Sequence, residues 1–436
     1  MKALLLLIIM LVAIPAAFLA PFSGILTFIW MALVRPHEWA YTQNSKYSLM
    51  VGVATVLGYF LFEITQRPPR IVANILIILV WFQNMVGTYF GYNSFASEDK
   101  FIEFSKTLVI AILISSLVDN ESRVRWLILT IIGSVGMLTF RAFIGVVIHF
   151  GQMKVVGPGG AFEDNNDFAL LLVMSVPLMF YFAKNETNFW MKTSAYTLTF
   201  MTTVTSVFTY SRGGFLGLCV VMIIMALRTR YKVTGILTIV LAGTMFLYFA
   251  PEGMLNRYSS IQAAGQEDES AKQRLRAWAV CLKIIQDYPL TGIGNKNMVP
   301  IYGKYGDSAD ARVAHNSYLQ CAVDNGLPCL LFFLTMIGVA FWRLNKIRRT
   351  YRKHAPDSKI INYAFGIETA LAGYCVSAFF LSQYTQEVLY MIIPLAASLM
   401  YMAANEEKEA KLNEIVKKAV GKKKVSIEGM QNLPAY

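Results

Sequence analysis

Apolar stretches of about 20 residues, the length that an α-helix needs to cross a bilayer, recur throughout this 436-residue chain. They lie near 1–34, 46–64, 71–88, 104–118, 124–149, 167–183, 193–210, 214–227, 233–250, 318–342, 360–381 and 385–403. Because backbone polar groups in lipid must be satisfied within the protein, these stretches predict an all-α fold. We expect a polytopic transmembrane helical bundle of about twelve helices.

The composition excludes a water-soluble globule, since 56% of the residues are hydrophobic and only 15% are charged. The five cysteines form no C-x-x-C pair, so neither a disulfide framework nor a zinc site is indicated. Pro15 and Pro21 interrupt the first apolar stretch. We interpret it as a retained membrane anchor, with a signal peptide as the alternative. The sequence leaves open whether it crosses once or as two short helices.

Lys and Arg concentrate in alternate loops, and such loops face the cytoplasm. The basic loops are 66–70, 123–125, 184–192, 228–232 and 343–353, together with the C-terminal tail. This pattern predicts transmembrane helices at 1–250 (about nine to ten spans), a large periplasmic loop at 251–317, further spans at 318–403 and a basic cytoplasmic tail at 404–436. The net charge of +12 then reflects topology and contact with anionic membrane lipids, and no nucleic-acid partner is expected.

The 251–317 segment is far longer than the other connections, and long loops in compact proteins are usually functional. Within it, Leu275, Trp278, Leu282 and Ile285 recur at helical spacing, which predicts an amphipathic helix at 270–287. Its apolar stripe is expected to lie on the bundle or in the membrane interface. A lid helix without chemistry is the alternative.

Arg212 lies in the turn TYSRGGFLG (209–217) between two apolar stretches. Ionisable groups near a membrane are default candidates for function, and an arginine in an outer turn can bind an anion through two parallel hydrogen bonds. Snorkelling of Arg212 to the interface is the alternative. Tyr210, in the same turn, is a second candidate substrate contact.

Arg274 and Arg276 lie on the predicted loop helix. At 100° per residue, Arg274 is close to the apolar stripe and can reach a membrane-facing cavity, whereas Arg276 points more toward solvent and ranks second. Arg141 lies deep in the 124–149 span. It is either a further anion contact or part of a structural ion pair.

His315 begins the segment HNSYLQCAVDNGLPCLLFF (315–333), where the loop returns to the membrane. A neutral imidazole there can take a proton from a sugar hydroxyl near neutral pH, and Asn316 beside it is a candidate substrate contact. A structural histidine at a helix start is the alternative. Asp324 lies about 180° from His315 on a helix, so any carboxylate that orients His315 must come from elsewhere.

An acidic turn contains Glu163, Asp164 and Asp167 just before an apolar stretch. This arrangement is typical of a helix start, with Asn165 and Asn166 as the expected caps. Binding of sugar hydroxyls or of a divalent ion is the alternative. The spacing differs from a calcium loop, so we predict no metal site.

Three segments in this order resemble the bacterial O-antigen ligase and polymerase superfamily of membrane glycosyltransferases, which use lipid-linked glycans. They are the Ser211–Gly214 turn (SRGG), RLRAWAVCLKIIQDYPLTGIGNKN (274–297) and HNSYLQCAVDNGLPCLL (315–331). The segment PFSGILTFIWMALVRPHEW (21–39) resembles a subgroup of O-glycosylation ligases. Family members often carry Glu where this chain has Asp324.

The resemblance implies a GT-C-like glycosyltransferase in the bacterial inner membrane, with its active site on the periplasmic face and no cofactor. It would be an O-antigen ligase that transfers polysaccharide from undecaprenyl diphosphate to lipid A-core, with inversion and without metal. Arg212 and Arg274 would hold the diphosphate, and His315 would be the general base. The absence of a P-loop or Rossmann signature fits a donor that is already activated.

Other functions remain open from the sequence. An O-antigen polymerase or a protein O-oligosaccharyltransferase would use the same chemistry with another acceptor. A transporter or flippase of an anionic lipid would place charged residues along a membrane path and carry related halves, and we see no internal repeat. In a non-catalytic assembly scaffold, the arginines and His315 would be individually replaceable.

Overall fold

The computed structural model describes residues 2–40, 46–149, 152, 154–157, 162, 164–229, 269–355 and 358–408. Within these ranges the chain forms helices and turns and contains no strand, which confirms the all-α prediction. The long helices are α1 (Lys2–Leu19), α2 (Pro21–Val34), α3 (Tyr47–Glu63), α4 (Ile71–Phe90), α5 (Ser94–Leu117), α6 (Glu121–Ile148), α7 (Asn165–Asn185), α8 (Phe189–Val207), α9 (Arg212–Leu227), α10 (Glu269–Asp287), α11 (Ser317–His354), α12 (Lys359–Ser377) and α13 (Glu387–Lys408).

Seven of the helices in the described residues are long and apolar enough to cross a membrane, namely α1, α4, α6, α7, α11, α12 and α13. The chain is therefore a multi-pass membrane protein. Helices α2, α3 and α9 are apolar but shorter, and α5 and α8 occupy two further predicted spans. The predicted span at 233–250 and the tail after residue 408 lie outside the described residues, so the count of about twelve stays a prediction.

Residues 1–34, predicted as one crossing or two short helices, form the two helices α1 and α2. The break falls at Ala20, and Pro21 opens α2, a position where the N–H that proline lacks would have had no partner in any case. Helix α2 ends at Arg35 in a left-handed conformation (φ 51°). This turn directs Arg35 and the short helix Pro36–Trp39 across the end of the bundle.

Helix α7 lies at the centre of the bundle, with 83% of its apolar window buried. It packs against α6, α8, α9 and α12. By contrast, only 17% of α1 is buried, so most of its surface is left for lipid. The two caps of this central helix serve to name the ends of the bundle: Asp164 lies at one end and Glu186 at the other.

The predicted basic loops gather at the Glu186 end. Arg125 pairs with Glu186 at 2.5 Å, and Glu368 pairs with Arg228 at 2.8 Å and with Arg348 at 2.9 Å. These ion pairs join loops that are far apart in the sequence, so a single end of the molecule carries this group of arginines.

At the opposite end, α11 is kinked at Gly326 (φ 81°, ψ 170°). In a straight helix the Asp324 carbonyl would face Pro328, which has no N–H to donate. Instead, Gly294 N donates to Asp324 O at 2.8 Å, and Ile293 N donates to Val323 O at 2.9 Å. The kink therefore opens a docking place for the segment that follows α10.

Helix α10 occupies the region where the sequence predicted an amphipathic helix. Of its predicted apolar stripe, Trp278 and Ile285 pack against the protein, but Leu275 and Leu282 are 61% and 56% exposed. The buried residues are Ala277, Val280, Cys281 and Ile284, which form a small separate core with residues such as Ile293 and Ile301. Small side chains allow this close approach, so α10 packs onto its own loop and leaves its leucines outside.

Candidate functional site

His315 lies at the Asp164 end of the bundle, just before α11. Its backbone is left-handed (φ 46°), and its side chain is half-buried. The following residue, Asn316, caps α11 by accepting hydrogen bonds from Tyr318 N at 3.0 Å and Leu319 N at 3.1 Å. Asn316 is buried, so its side chain has a structural role. The His315 imidazole takes no part in this helix cap.

Three charged residues act on the imidazole. Burial lowers the pKa of His315 below its usual 6.5, and Arg274 and Arg312 lower it further, whereas Asp164 opposes them. The net effect is a lowered pKa, so His315 is neutral at pH 7. A neutral imidazole beside two cations can accept a proton.

Arg274 and Arg276 follow the predicted division. Arg274 lies on the same side of α10 as the buried Ala277 and Cys281, and it is close enough to affect His315. The Arg276 side chain is 53% exposed and forms an ion pair with Asp310 at 2.9 Å. The structure therefore brings Arg274, and not Arg276, to His315.

Arg212 begins α9, and Ser211 caps this helix by accepting a hydrogen bond from Gly214 N at 3.1 Å. Tyr210, just before the cap, has a left-handed backbone (φ 56°). A Cβ on Gly213 would lie 2.7 Å from Cβ of Phe380. Glycine at 213 thus allows the start of α9 to approach the end of α12.

A chain of contacts connects this turn to His315. The ring of Phe379, next to Phe380, makes an edge-to-face contact with the ring of Trp278, and the two ring centroids are 5.6 Å apart. Trp278 Nε1 donates to Ala314 O at 2.9 Å, one residue before His315. The SRGG turn and the His315 loop therefore lie at the same end of the bundle, joined through α10 and α12.

Arg141 is separate from this group. Its guanidinium lies over the Trp39 ring at 5.3 Å, and it lines a second cavity of about 260 Å³ whose other walls are mainly apolar. Within the described residues Arg141 forms no ion pair. The structural ion pair considered from the sequence therefore has no partner in this part of the chain.

The acidic turn contains a helix cap. The predicted helix start is confirmed, but the cap is Asp164, which accepts a hydrogen bond from Asn166 N at 2.7 Å; Asn165 and Asn166, predicted as caps, lie inside α7. In addition, Asp164 is the carboxylate that acts on His315, a role that its sequence position did not reveal. Glu163 lies outside the described residues, and among the described residues no cluster of three or more His, Cys, Asp or Glu could hold a metal ion.

A polar cavity of about 430 Å³ lies beside the His315 loop. It is lined by Arg35, Asp99, Lys100, Glu103, Asn295, Lys296, Met298, Val299, Val313, Gln320, Asp324, Ser382, Tyr384 and Thr385. Gln320 links it to His315, because Gln320 Oε1 accepts a hydrogen bond from Ala314 N at 3.0 Å and Gln320 Nε2 donates to Asp324 Oδ1 at 2.8 Å. Asp324 therefore supports the His315 loop through Gln320, without contacting the imidazole along the helix.

Arg35 forms one wall of this cavity and is 8% exposed. It pairs with Glu38 at 3.1 Å, Glu387 at 3.4 Å and Glu103 at 3.9 Å. Burial lowers the pKa of Arg35, but the three carboxylates more than offset it and the pKa lies above its usual value. The guanidinium is thus neutralised by the protein itself.

Backbone strain concentrates at this end of the molecule. Among the described residues, the non-glycine residues with positive φ are Arg35, Tyr210, Lys296 and His315. Each such conformation costs about 1–3 kcal/mol and is typical of functional sites. Two of these residues were predicted from the sequence, and the other two line the cavity.

Sequence reasoning missed Arg35 and Arg312. Arg312 Nη1 donates a hydrogen bond to Gln273 on α10. This bond holds the positive charge of Arg312 close enough to affect His315. Arg35 lies in the 21–39 segment that carries a resemblance, but that segment did not mark it as a site residue, and Arg312 lies between the matching segments. The available signal was Arg35 itself, an arginine directly after an apolar run and before proline.

Comparison with known families agrees with the geometry. Residues 197–334 match the family described as O-Antigen ligase, and residues 1–187 match a family of unknown function (DUF5935). No curated protein matches the chain. The O-antigen ligase match contains Arg212, Arg274 and His315.

The membrane-spanning bundle and the matched family together define a glycosyltransferase-like membrane enzyme. Residues 197–334 thus form a domain similar to the O-antigen ligase family, and this match covers about a third of the chain. The resemblance identified in the sequence is thereby confirmed. The family that matches residues 1–187 has no known function.

Proposed function

We propose that this protein is an O-antigen ligase. It transfers polysaccharide from undecaprenyl diphosphate to lipid A-core on the periplasmic side of the inner membrane, with inversion and without metal. The observation that supports this best is the half-buried His315 beside Arg274 and Arg312, at the Asp164 end of a membrane bundle.

The arginines suit the leaving group. A diphosphate departs with added negative charge, and guanidinium groups stabilise such charge by paired hydrogen bonds. In our proposal Arg274 and Arg212 bind the diphosphate, and Arg312 contributes to the same positive field. Arg212 and Arg274 both lie within the range that matches the family. Arg276, held by Asp310, has a lesser part.

His315 takes the proton. The acceptor hydroxyl oxygen forms a new bond to C1 of the first donor sugar, while the bond from C1 to the diphosphate oxygen breaks. The electron pair leaves with the diphosphate, and the hydroxyl proton passes to the His315 imidazole. Attack opposite the leaving group inverts C1, and no metal is needed because the arginines balance the charge.

The test uses purified protein in detergent with an undecaprenyl diphosphate-linked glycan, lipid A-core and EDTA. We expect transfer by the natural protein, and no transfer by His315→Ala with donor binding retained. A glycan acceptor and a protein acceptor are tested in parallel. Transfer to one of those alone would identify a polymerase or a protein O-oligosaccharyltransferase, and flipping of labelled donor without transfer would identify a transporter.

A further inference from the structure

The 430 Å³ cavity is assembled from both matched regions of the chain. The region that matches the family of unknown function supplies Arg35, Asp99, Lys100 and Glu103, and the O-antigen ligase region supplies most of the opposite wall. The segment 382–385 closes the cavity from outside both matches. The N-terminal region is therefore part of the site.

The charged side chains that line the cavity balance one another. Three basic side chains (Arg35, Lys100, Lys296) and three acidic ones (Asp99, Glu103, Asp324) line it. Behind Arg35, Glu38 and Glu387 add further negative charge. A cavity without excess positive charge favours a neutral ligand over a diphosphate.

The remaining polar lining consists of amides and hydroxyls, held in fixed positions. Tyr384 OH donates to Asn295 Oδ1 at 2.6 Å and accepts from Asn325 Nδ2 at 2.8 Å. Asn295 follows Gly294, whose backbone docks on the kink of α11. Amide and carboxylate groups that point into a pocket of about 300–1,000 Å³ are typical of sites that orient a polar ligand.

We propose that this cavity binds the acceptor as a neutral, hydroxyl-rich sugar, and that the N-terminal region of unknown function supplies half of that specificity. This inference rests on the proposed function. Sugar hydroxyls both donate and accept, so they can pair with carboxylates and with amides at the same time. The donor diphosphate occupies the arginines, and the acceptor sugar approaches His315 from the cavity, past Val313 and Gln320.

Glu103→Gln tests the contribution of the N-terminal region, with Glu98→Gln as its matched control. Glu98 is an exposed carboxylate on the same helix, α5, and does not line the cavity. We expect Glu103→Gln to raise KM for lipid A-core about tenfold, the effect of losing one hydrogen bond to a charged group. KM for the donor and kcat at saturating acceptor should stay unchanged, and Glu98→Gln should match the natural protein.

A second variant, Thr385→Val, removes a cavity hydroxyl without changing charge or shape and should raise KM for the acceptor in the same way. Binding is measured separately, without donor, by titrating the purified protein with a neutral oligosaccharide released from lipopolysaccharide core. We expect weaker oligosaccharide binding in both cavity variants and unaltered binding in Glu98→Gln.

The transfer kinetics and the oligosaccharide titration together distinguish failure of the cavity assignment from failure of the proposed function. Transfer with unchanged acceptor KM and unchanged oligosaccharide binding in both cavity variants would overturn the cavity assignment and leave the proposed function intact. An increase in donor KM alone would also overturn it, since the cavity would then hold a donor sugar. Oligosaccharide binding that the cavity variants weaken, in a protein that transfers to none of the acceptors, would support a sugar site while the proposed function fails.

Discussion

His315 combines a strained backbone with an imidazole whose charge depends on three neighbours. Its lowered pKa has identifiable causes, first burial and then Arg274, with Asp164 acting in the opposite direction. A base must be neutral to accept a proton, so its activity is lost as the pH falls through its pKa. The acid limb of the pH profile is therefore expected below pH 6.5.

Two substitutions should move this limb in opposite directions. In Asp164→Asn the cap on α7 is kept, because asparagine caps as well as aspartate. The charge that raises the His315 pKa is lost, so the limb should move to lower pH. In Arg312→Gln a charge that lowers the pKa is lost, so the limb should move to higher pH. The measurement is kcat against pH at saturating donor and acceptor, and shifts of the same sign would contradict the assignment.

Arg274 and Arg276 provide a comparison within one helix. Removal of a group that stabilises transition-state charge costs about 100-fold or more in rate, so Arg274→Ala should fall by at least that factor. Arg274→Lys should recover part of it, since lysine keeps the charge but loses the planar fork. Arg276→Ala removes an ion pair whose arginine is 53% exposed, and such a pair is worth at most about 1 kcal/mol, so the rate should stay within about fivefold. Equal losses in Arg274→Ala and Arg276→Ala would place the diphosphate elsewhere.

At the scale of elements, the kink in α11 and the loop after α10 depend on each other. Gly292 has φ 68°, and a Cβ there would lie 2.4 Å from the backbone of Asp324 and Asn325. Gly338, on the straight part of α11, has nothing within 4 Å of such a Cβ. The positive φ and the close backbone contact therefore require glycine at 292, whereas no contact requires glycine at 338.

Gly292→Ala should destabilise the fold by about 1–3 kcal/mol from backbone strain alone, with a further loss of transfer because Asp324 and the cavity wall move. Gly338→Ala should not destabilise, since alanine is the better helix former. Thermal unfolding in detergent and the transfer rate are measured for both. A Gly292→Ala protein as stable and as active as Gly338→Ala would show that the loop does not need its docked position.

The elements that the sequence predicted well are those set by local hydropathy. Apolar runs identified α4, α6 and α7 because a membrane helix needs one continuous stretch. The buried face of α10 was not predictable in the same way. Its exposed leucines dominate the hydrophobic pattern, while Ala277 and Cys281 pack because their small size fits the following loop, which is a tertiary property.

The site residues, too, differ in whether a local sequence signal could identify them. His315, Arg212 and Arg274 were predicted because each stands in a motif. Arg35 was not, because its partners Glu103 and Glu387 are remote in sequence and meet only in the folded bundle.

At the scale of the whole molecule, the two ends of the bundle differ in charge and in what they can do. The Glu186 end gathers arginines into ion pairs with structural partners, and its loops are those whose positive charge predicts a cytoplasmic position. The other end contains His315, the cavity and the strained residues. Ligation outside the cytoplasm requires that these two ends face opposite sides of the membrane.

This orientation is tested by labelling single cysteines with a membrane-impermeant maleimide in intact spheroplasts. The five native cysteines are replaced first, and then Ser308→Cys and Thr187→Cys are made separately; both positions are exposed, one near His315 and one at the Glu186 end. We expect Ser308→Cys to react in intact spheroplasts and Thr187→Cys to react only after lysis. The reverse pattern would put His315 on the cytoplasmic side, where the donor glycan would have to be used before export, and would exclude the proposed periplasmic ligation even if purified protein transferred glycan in detergent.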